Sequence, residues 1–273
     1  MVVFPAAKIN LGLYVTDKRE DGYHNIQTLF YPIGLSDILE VVRDTGGRSG
    51  RIDLSLSGLP VEGSSDTNLI VRAYHLLNAQ VGLPGVKVYL HKCIPTGAGL
   101  GGGSSDGASM LKLLNEIFQL NLSGSDLFDL ALQLGSDCPF FLDPVPSFAR
   151  GRGEELVPAD VSLGGKQILL FHPGTGISTG GAYRHVQVNK PAADIEEIVN
   201  LPVNAWKDNI MNAFESYAFK QQPVIEYIKK KLYDSGAFYA SMTGSGSAVF
   251  GLFGREAEIP SEISEYFIWK ENF

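Results

Sequence analysis

The stretch best suited to chemistry in this 273-residue chain runs from Pro95 to Ser105, Pro95-Thr96-Gly97-Ala98-Gly99-Leu100-Gly101-Gly102-Gly103-Ser104-Ser105, with five glycines among the seven positions from Gly97 to Gly103. Glycine loses more chain entropy on folding than any other residue, so this density is kept only where the backbone must take shapes a side chain forbids, or where something approaches it closely. The run follows an alternating strand pattern, Val86 to Ile94, and precedes a 3.6-residue apolar period from Gly107 to Phe118, with Ser104 or Ser105 offered as the helix cap. A strand, a glycine loop and a helix start together present consecutive amides and the positive end of a helix dipole, which suits an anion and above all a polyphosphate. An ordinary glycine turn is the bland alternative.

Two familiar phosphate loops fit poorly. The Walker pattern needs Lys before the terminal Ser or Thr, and Gly103 holds that place. Gly97, Gly99 and Gly102 have the spacing of a dinucleotide fingerprint, and Glu116 follows downstream. That acid falls inside the predicted helix instead of ending the next strand, which weakens the reading of a nicotinamide-dependent oxidoreductase.

Other residues could act on a ligand held there. Asp137 follows a helix stop at Gly135 and precedes Pro139, where a carboxylate can be held rigidly; alternatively it caps the next turn. Lys8 lies in an apolar strand and needs a carboxylate or phosphate partner unless it snorkels from an edge. Lys92 ends the strand that feeds the loop, where its cation could meet a nucleotide or simply reach the surface. Tyr23 and His24 sit in a turn after Asp21-Gly22 and could stack on and hydrogen-bond a flat base.

The elements that must position these residues read as a mixed α+β chain. Strands are expected at Val2 to Ile9, Leu11 to Val15, Asn25 to Tyr31, Ile38 to Val42 and Arg51 to Leu56. A helix follows from Asn68 to Ala79 with Asp66 and Thr67 as caps, and another from Asp126 to Leu134 capped by Ser125 and stopped by Gly135. Beyond Gly153 a strand is expected at Gln167 to Phe171, then helices over Asp194 to Leu201, Met211 to Ala218 and Val224 to Tyr233. Two last strands, Phe238 to Met242 and Ala248 to Phe253, flank Thr243-Gly244-Ser245-Gly246. The expected domains are 1–155 and 156–273.

The net charge of −8 argues against a general binder of nucleic acid or anionic membrane, while leaving room for a small anion in a local cleft. Two cysteines, Cys93 and Cys138, form no close metal or disulfide pattern, and no leader or bilayer-spanning run is evident, so a cytoplasmic protein is expected.

Pro95 to Ala108 resembles the ATP-phosphate loop of the GHMP kinases. Pro5-Ala6-Ala7-Lys8-Ile9-Asn10-Leu11-Gly12-Leu13 is similar to their first motif, and Thr243-Gly244-Ser245-Gly246-Ser247-Ala248-Val249-Phe250 to their C-terminal glycine motif. Asp21 to Thr28, Leu134 to Phe141 and Ala149 to Glu155 narrow the resemblance to the 4-diphosphocytidyl-2-C-methyl-D-erythritol kinases. Asn212-Ala213-Phe214-Glu215 stands where Asn-Asp-Leu-Glu is usual, and Asp106-Gly107 where Asn-Ala is.

The resemblance implies a two-domain α+β fold: an N-terminal mixed sheet with helices, a C-terminal ferredoxin-like sandwich, and an active site in the cleft between them. It implies phosphorylation of the 2-hydroxyl of the cytidylylated sugar alcohol from ATP with Mg²⁺. Lys8 and Asp137 would be catalytic, and Asn10, Tyr23, His24, Thr179 and Tyr183 would bind the acceptor, although Tyr183 could equally be core. Asn68, Lys92, Pro95, Gly97, Gly99, Leu100, Gly101, Gly102, Gly103, Ser104 and Ser105 would bind ATP, with Ser105 a possible Mg²⁺ ligand. Gly244, Ser245 and Gly246 would border the acceptor. The partners implied are small molecules only, for a monomer or homodimer. A mevalonate- or homoserine-type kinase, and a nucleotide-binding module without catalysis, are the alternatives.

Overall fold

The computed structural model describes residues 1–46, 49–61, 63–188, 191, 193–254 and 256–273. Its strands, in chain order, are β1 Val2–Val3, β2 Ala6–Lys18, β3 His24–Ser36, β4 Ile38–Arg43, β5 Ile52–Gly58, β6 Val86–Lys92, β7 Ser147–Arg150, β8 Glu155–Pro158, β9 Gln167–Phe171, β10 Tyr239–Met242, β11 Val249–Phe253 and β12 Phe267–Asn272. The helices are α1 Leu69–Val81, α2 Gly102–Phe118, α3 Gly124–Leu134, α4 Thr179–His185, α5 Ile195–Val199, α6 Trp206–Asn209, α7 Glu215–Gln221 and α8 Pro223–Asp234.

Two compact units divide the chain, and neither is contiguous. One comprises Met1–Ala7, Gly34–Thr96 and Gly101–Pro144; the other comprises Lys8–Ile33, Gly97–Leu100 and Val145–Phe273. The long strands β2 and β3 each have residues in both units.

In the first unit the sheet order is β1-β4-β6-β5, antiparallel from β4 to β6 and parallel from β5 to β6. Alternation along β6 buries Val86, Val88 and Leu90 and exposes the residues between them, as one covered face requires. The covered face packs with Ile70, Tyr74 and Leu77 of α1 and with Leu111 and Leu114 of α2. Lys92 continues the inward phase of β6, so the register that builds the core also drives an ammonium group into it.

Three helix starts differ from the sequence expectation. Asn68, not Asp66 or Thr67, caps α1, accepting the Ile70 amide; the other two lie in a preceding 3₁₀ turn. α2 begins at Gly102, several residues early, with Gly101 at φ +73° as its N-cap and no side-chain cap from Ser104 or Ser105. α3 is capped by Ser123 in a reciprocal capping box with Asp126, leaving Ser125 inside the first turn.

The second unit holds a sheet of order β2-β3-β7-β8 and an antiparallel sheet of order β10-β11-β9-β12. Its core joins Leu13, Val15 and Ile26 to Phe171, Phe214, Ile228, Leu232 and Val249. The helix expected from Met211 starts only at Glu215. Before that, the chain runs beside β2, where Leu13 donates to the Met211 carbonyl at 2.9 Å and accepts from Ala213 at 2.8 Å. A strand that the sequence reading missed, β12, pairs with β9. Among the described residues no helix is long and apolar enough to cross a membrane.

Candidate active site

In the first unit a pocket of about 180 Å³ opens beside the first turn of α2. Leu56, Val61, Leu69 and Leu90 give it apolar walls, and Asn68, Lys92, Gly103 and Asp106 give it polar groups. A Cβ on Gly103 would meet nothing within 4 Å, so that backbone is open to a ligand. Gly102 is glycine for a different reason: a Cβ there would lie 2.8 Å from the Ile94 side chain and 3.3 Å from Lys92 Nζ.

Lys92, only 4% exposed, does not reach the surface. Its ammonium donates to Asp106 Oδ2 at 2.8 Å and, closer still, to Asp37 Oδ2. Asp37 Oδ1 in turn accepts the Cys93 amide at 2.6 Å and the Ile94 amide at 2.9 Å. The cation that the sequence offers to a nucleotide is therefore already answered by two carboxylates. Burial pulls the Lys92 ammonium down, but Asp106 and then Asp37 outweigh it and hold its pKa above the ordinary value. Burial also pushes Asp106 up to about 7, against the pull of Lys92 and helped by the second carboxylate, Asp37. Neither Asp was singled out as a Lys92 partner from the sequence. The inward phase of β6 signalled that a carboxylate was needed, without saying which.

Asp137 is half-buried, just before the 3₁₀ turn Cys138–Leu142, and its side chain makes no capping bond to that turn. The bland reading of this residue as a turn cap is not realised. Pro139 stiffens the turn, and the neighbouring Cys138 thiol, buried in the core, is pushed up to about 12 by desolvation and is inert as a nucleophile. Ser105, in α2, is 2% exposed, and its amide donates to the Gly101 carbonyl at 2.9 Å.

The second unit ties the first motif and both glycine motifs into one knot. Lys8, 3% exposed and so not a snorkelling edge residue, donates to Asn10 Oδ1 at 2.6 Å and to the Gly99 carbonyl at 3.1 Å. Its ammonium also lies 5.0 Å from the centre of the Phe30 ring. Asn10 Oδ1 accepts two more donors, the Thr243 hydroxyl at 3.1 Å and the Gly244 amide at 2.9 Å, while its amide donates to Thr28 at 2.9 Å. Asn10 is thus a junction as much as a ligand group.

The glycines here serve each other. A Cβ on Gly99, at φ +79°, would fall 2.1 Å from the Thr243 carbonyl oxygen, and one on Gly244 2.9 Å from the Gly99 carbonyl. Gly97, at φ +70°, faces open space instead. Pro95 and Leu100 flank this run, Leu100 accepting the Lys8 amide at 3.0 Å. Asn212 and Glu215 brace the C-terminal motif from behind. Asn212 donates to the Met242 and Gly244 carbonyls, and Glu215 accepts the Met242 amide at 3.0 Å and the Lys229 ammonium at 2.7 Å.

On the acceptor side, Thr179 and Ser245 share a hydrogen bond of 2.9 Å. His24 and Tyr183 stack at 5.2 Å between centroids, and Tyr183 meets Phe214 edge-on at 4.8 Å. His24 and Tyr183 are thus in ring contact with each other. Tyr23 is 54% exposed, with the Arg152 guanidinium 4.9 Å from its ring centre. Burial first, and Lys18 second, lower the pKa of His24 and favour its neutral form.

The chain is similar to known proteins in sequence and in fold. Residues 68–143 match the GHMP kinases N terminal domain, and residues 195–268 the GHMP kinases C terminal. The chain is 50% identical over 259 residues to a 4-diphosphocytidyl-2-C-methyl-D-erythritol kinase of Bacteroides fragilis, covering 95% of this chain and 94% of that one. It is 44% identical over 259 residues to the protein of that name from Cytophaga hutchinsonii, with 94% of each chain covered. A crystal structure of a 4-(cytidine 5'-diphospho)-2C-methyl-D-erythritol kinase superposes with a TM-score of 0.76 at 36% identity, over 92% of this chain and 90% of that one.

Proposed function

Since the chain belongs to the family of 4-diphosphocytidyl-2-C-methyl-D-erythritol kinases, we propose that it transfers the γ-phosphoryl group of ATP to the 2-hydroxyl of 4-diphosphocytidyl-2-C-methyl-D-erythritol, as a cytoplasmic enzyme of the non-mevalonate route to isoprenoids. The observation that carries this reading is the 50% identity maintained over 95% of the chain.

Phosphoryl transfer through a loose transition state asks a protein for positioning and charge stabilisation more than for covalent chemistry. The apolar-walled pocket receives the base of ATP, and the amides at the start of α2, with the open backbone at Gly97 and Gly103, receive its phosphates. Asp137 orients the acceptor hydroxyl and takes its proton late, because a tertiary alcohol is a weak acid. Lys8, fixed by Asn10 and Gly99, stabilises the charge that develops on the transferring group. The exposed ring of Tyr23 offers the cytosine a stacking face, with neutral His24 at its edge and Thr179 and Ser245 beside the acceptor.

Among the described residues no group of three His, Cys, Asp or Glu could hold a metal ion. A Mg²⁺ would enter with the nucleotide, and the Ser105 hydroxyl is a candidate oxygen to hold it. When bound, the ion would supply neutralisation of the nucleotide's phosphate charge.

The test is ADP release with the cytidylylated acceptor against mevalonate, homoserine and galactose. The expected result is turnover with the first alone. Equal or faster turnover of another acceptor overturns the substrate assignment.

A further inference from the structure

Thr243 is wholly buried in the C-terminal glycine motif, and no part of the reaction described above falls to it. Its hydroxyl nevertheless meets the same two acceptors as the Lys8 ammonium. Lys8 Nζ donates to Asn10 Oδ1 at 2.6 Å and to the Gly99 carbonyl at 3.1 Å, and Thr243 Oγ1 reaches the same oxygens at 3.1 and 3.2 Å. A hydroxyl carries one proton, so Thr243 shares it between the two, while its own oxygen accepts the Asn10 backbone amide at 3.0 Å. One side-chain atom thereby joins β2, the glycine run and the C-terminal motif around the point where the ammonium is held. That atom is itself anchored. The carbonyls on either side of Thr243, those of Met242 and Gly244, both accept the Asn212 side-chain amide, at 2.8 and 2.9 Å, and the Thr243 amide donates to Ala248 at 3.0 Å. Lys8, by contrast, reaches its place on a long flexible stem, so the location of its charge depends on where its acceptors stand.

We propose that Thr243 is a positioning residue for the phosphoryl transfer: its hydroxyl fixes Asn10 Oδ1 and the Gly99 carbonyl relative to each other, and so places the Lys8 ammonium. This rests on the reading of Lys8 as the cation that stabilises the transferring group. A misplacement of about 1 Å can cost roughly 10²-fold in rate, while substrates gripped by other residues bind as before. Loss of the hydroxyl therefore shows in kcat and hardly in KM. The loss also requires Lys8 to be present, which a general defect of packing does not.

The experiment is a double-mutant cycle of Thr243→Val and Lys8→Met, read as kcat and KM with ATP and the cytidylylated acceptor, with Thr243→Ser as the conservative control. Thr243→Val keeps the shape and removes the hydroxyl; alone, it is expected to lower kcat by about 30- to 100-fold with both KM values within about threefold of the wild type. Thr243→Ser should bring kcat back to within about fivefold. In the Lys8→Met background, Thr243→Val should cost less than about threefold more. A purely structural residue would impose its full loss in both backgrounds. Full recurrence there, a Thr243→Val kcat within about threefold of the wild type, a loss carried by KM, or a serine variant no better than the valine overturns the proposal. Should Thr243→Val fail to fold, Thr243→Cys, a weak donor at the same place, takes its corner of the cycle with the same expected disappearance. If the wild type turns over a different acceptor, the substrate assignment falls and the cycle is read on that acceptor. If Lys8→Met keeps wild-type activity, the role of Lys8 and this proposal fall together.

Discussion

Lys92 and Lys8 are buried to nearly the same degree, 4% and 3% exposed, yet their ammonium groups are put to different use. In the first unit Lys92 sits between Asp37 and Asp106, and its charge is answered within the same core that buries it. In the second unit Lys8 donates to an amide oxygen and to a loop carbonyl, each belonging to a motif that the proposed reaction uses. A buried cation wedged between carboxylates is scaffold, because removing it leaves uncompensated charge. A buried cation whose bonds fix the ends of glycine loops is placed for a substrate, because its position is defined to within a hydrogen bond before any ligand arrives.

Exchanging the roles of the two lysines is the way to break this comparison. Lys8→Met, and equally Asp137→Asn, should lower kcat by on the order of 10³-fold while the unfolding transition stays close to that of the wild type. Activity within about tenfold of the wild type in either variant would show that the residue stands outside the chemistry. Lys92→Met should instead cost about 3–5 kcal/mol of stability, since Asp37 and Asp106 would face each other with no cation between them. Denaturant unfolding measures this, and a loss below about 1 kcal/mol would mean that the cluster is not scaffold.

The glycines sharpen the same division on a smaller scale. Gly97→Ala meets open space and should cost only the strain of a positive φ, about 1–2 kcal/mol. Gly99→Ala would add to that a clash with the Thr243 carbonyl, 2.1 Å from the new Cβ, and should lose a further 1–3 kcal/mol or so. Equal losses would show that the two glycine motifs do not depend on their close approach.

Much of this was legible in the sequence, and what was not has identifiable causes. The period of β6 and the density of glycine before α2 were readable because each reflects a local constraint, alternation across a half-covered sheet and freedom of φ. The start of α2 was not. Gly102 and Gly103 are poor helix formers, so nothing local announced the helix there, and Gly102 is a glycine because Ile94 and Lys92 occupy the space where its Cβ would be. The segment from Met211 to Phe214 carries an apolar spacing that suits a helix, but backbone bonds from Met211 and Ala213 to Leu13, nearly two hundred positions away in the chain, hold it in a bridge and a turn before α7. Asp37 drew no reading in the sequence, because only the fold brings it to Lys92. For the same reason Thr243 could be seen as part of a glycine motif, but not as the group that makes Gly99 a glycine.

The central claim, that this chain moves a phosphoryl group from ATP onto the cytidylylated sugar alcohol, is tested most directly by ³¹P NMR of the purified protein with both substrates and Mg²⁺. The account predicts that the γ-phosphate resonance of ATP declines in step with the growth of one phosphomonoester resonance on the acceptor, whose diphosphate signals persist. Loss of the γ-phosphate to inorganic phosphate alone, or no change while the known relatives turn over under the same conditions, would contradict it.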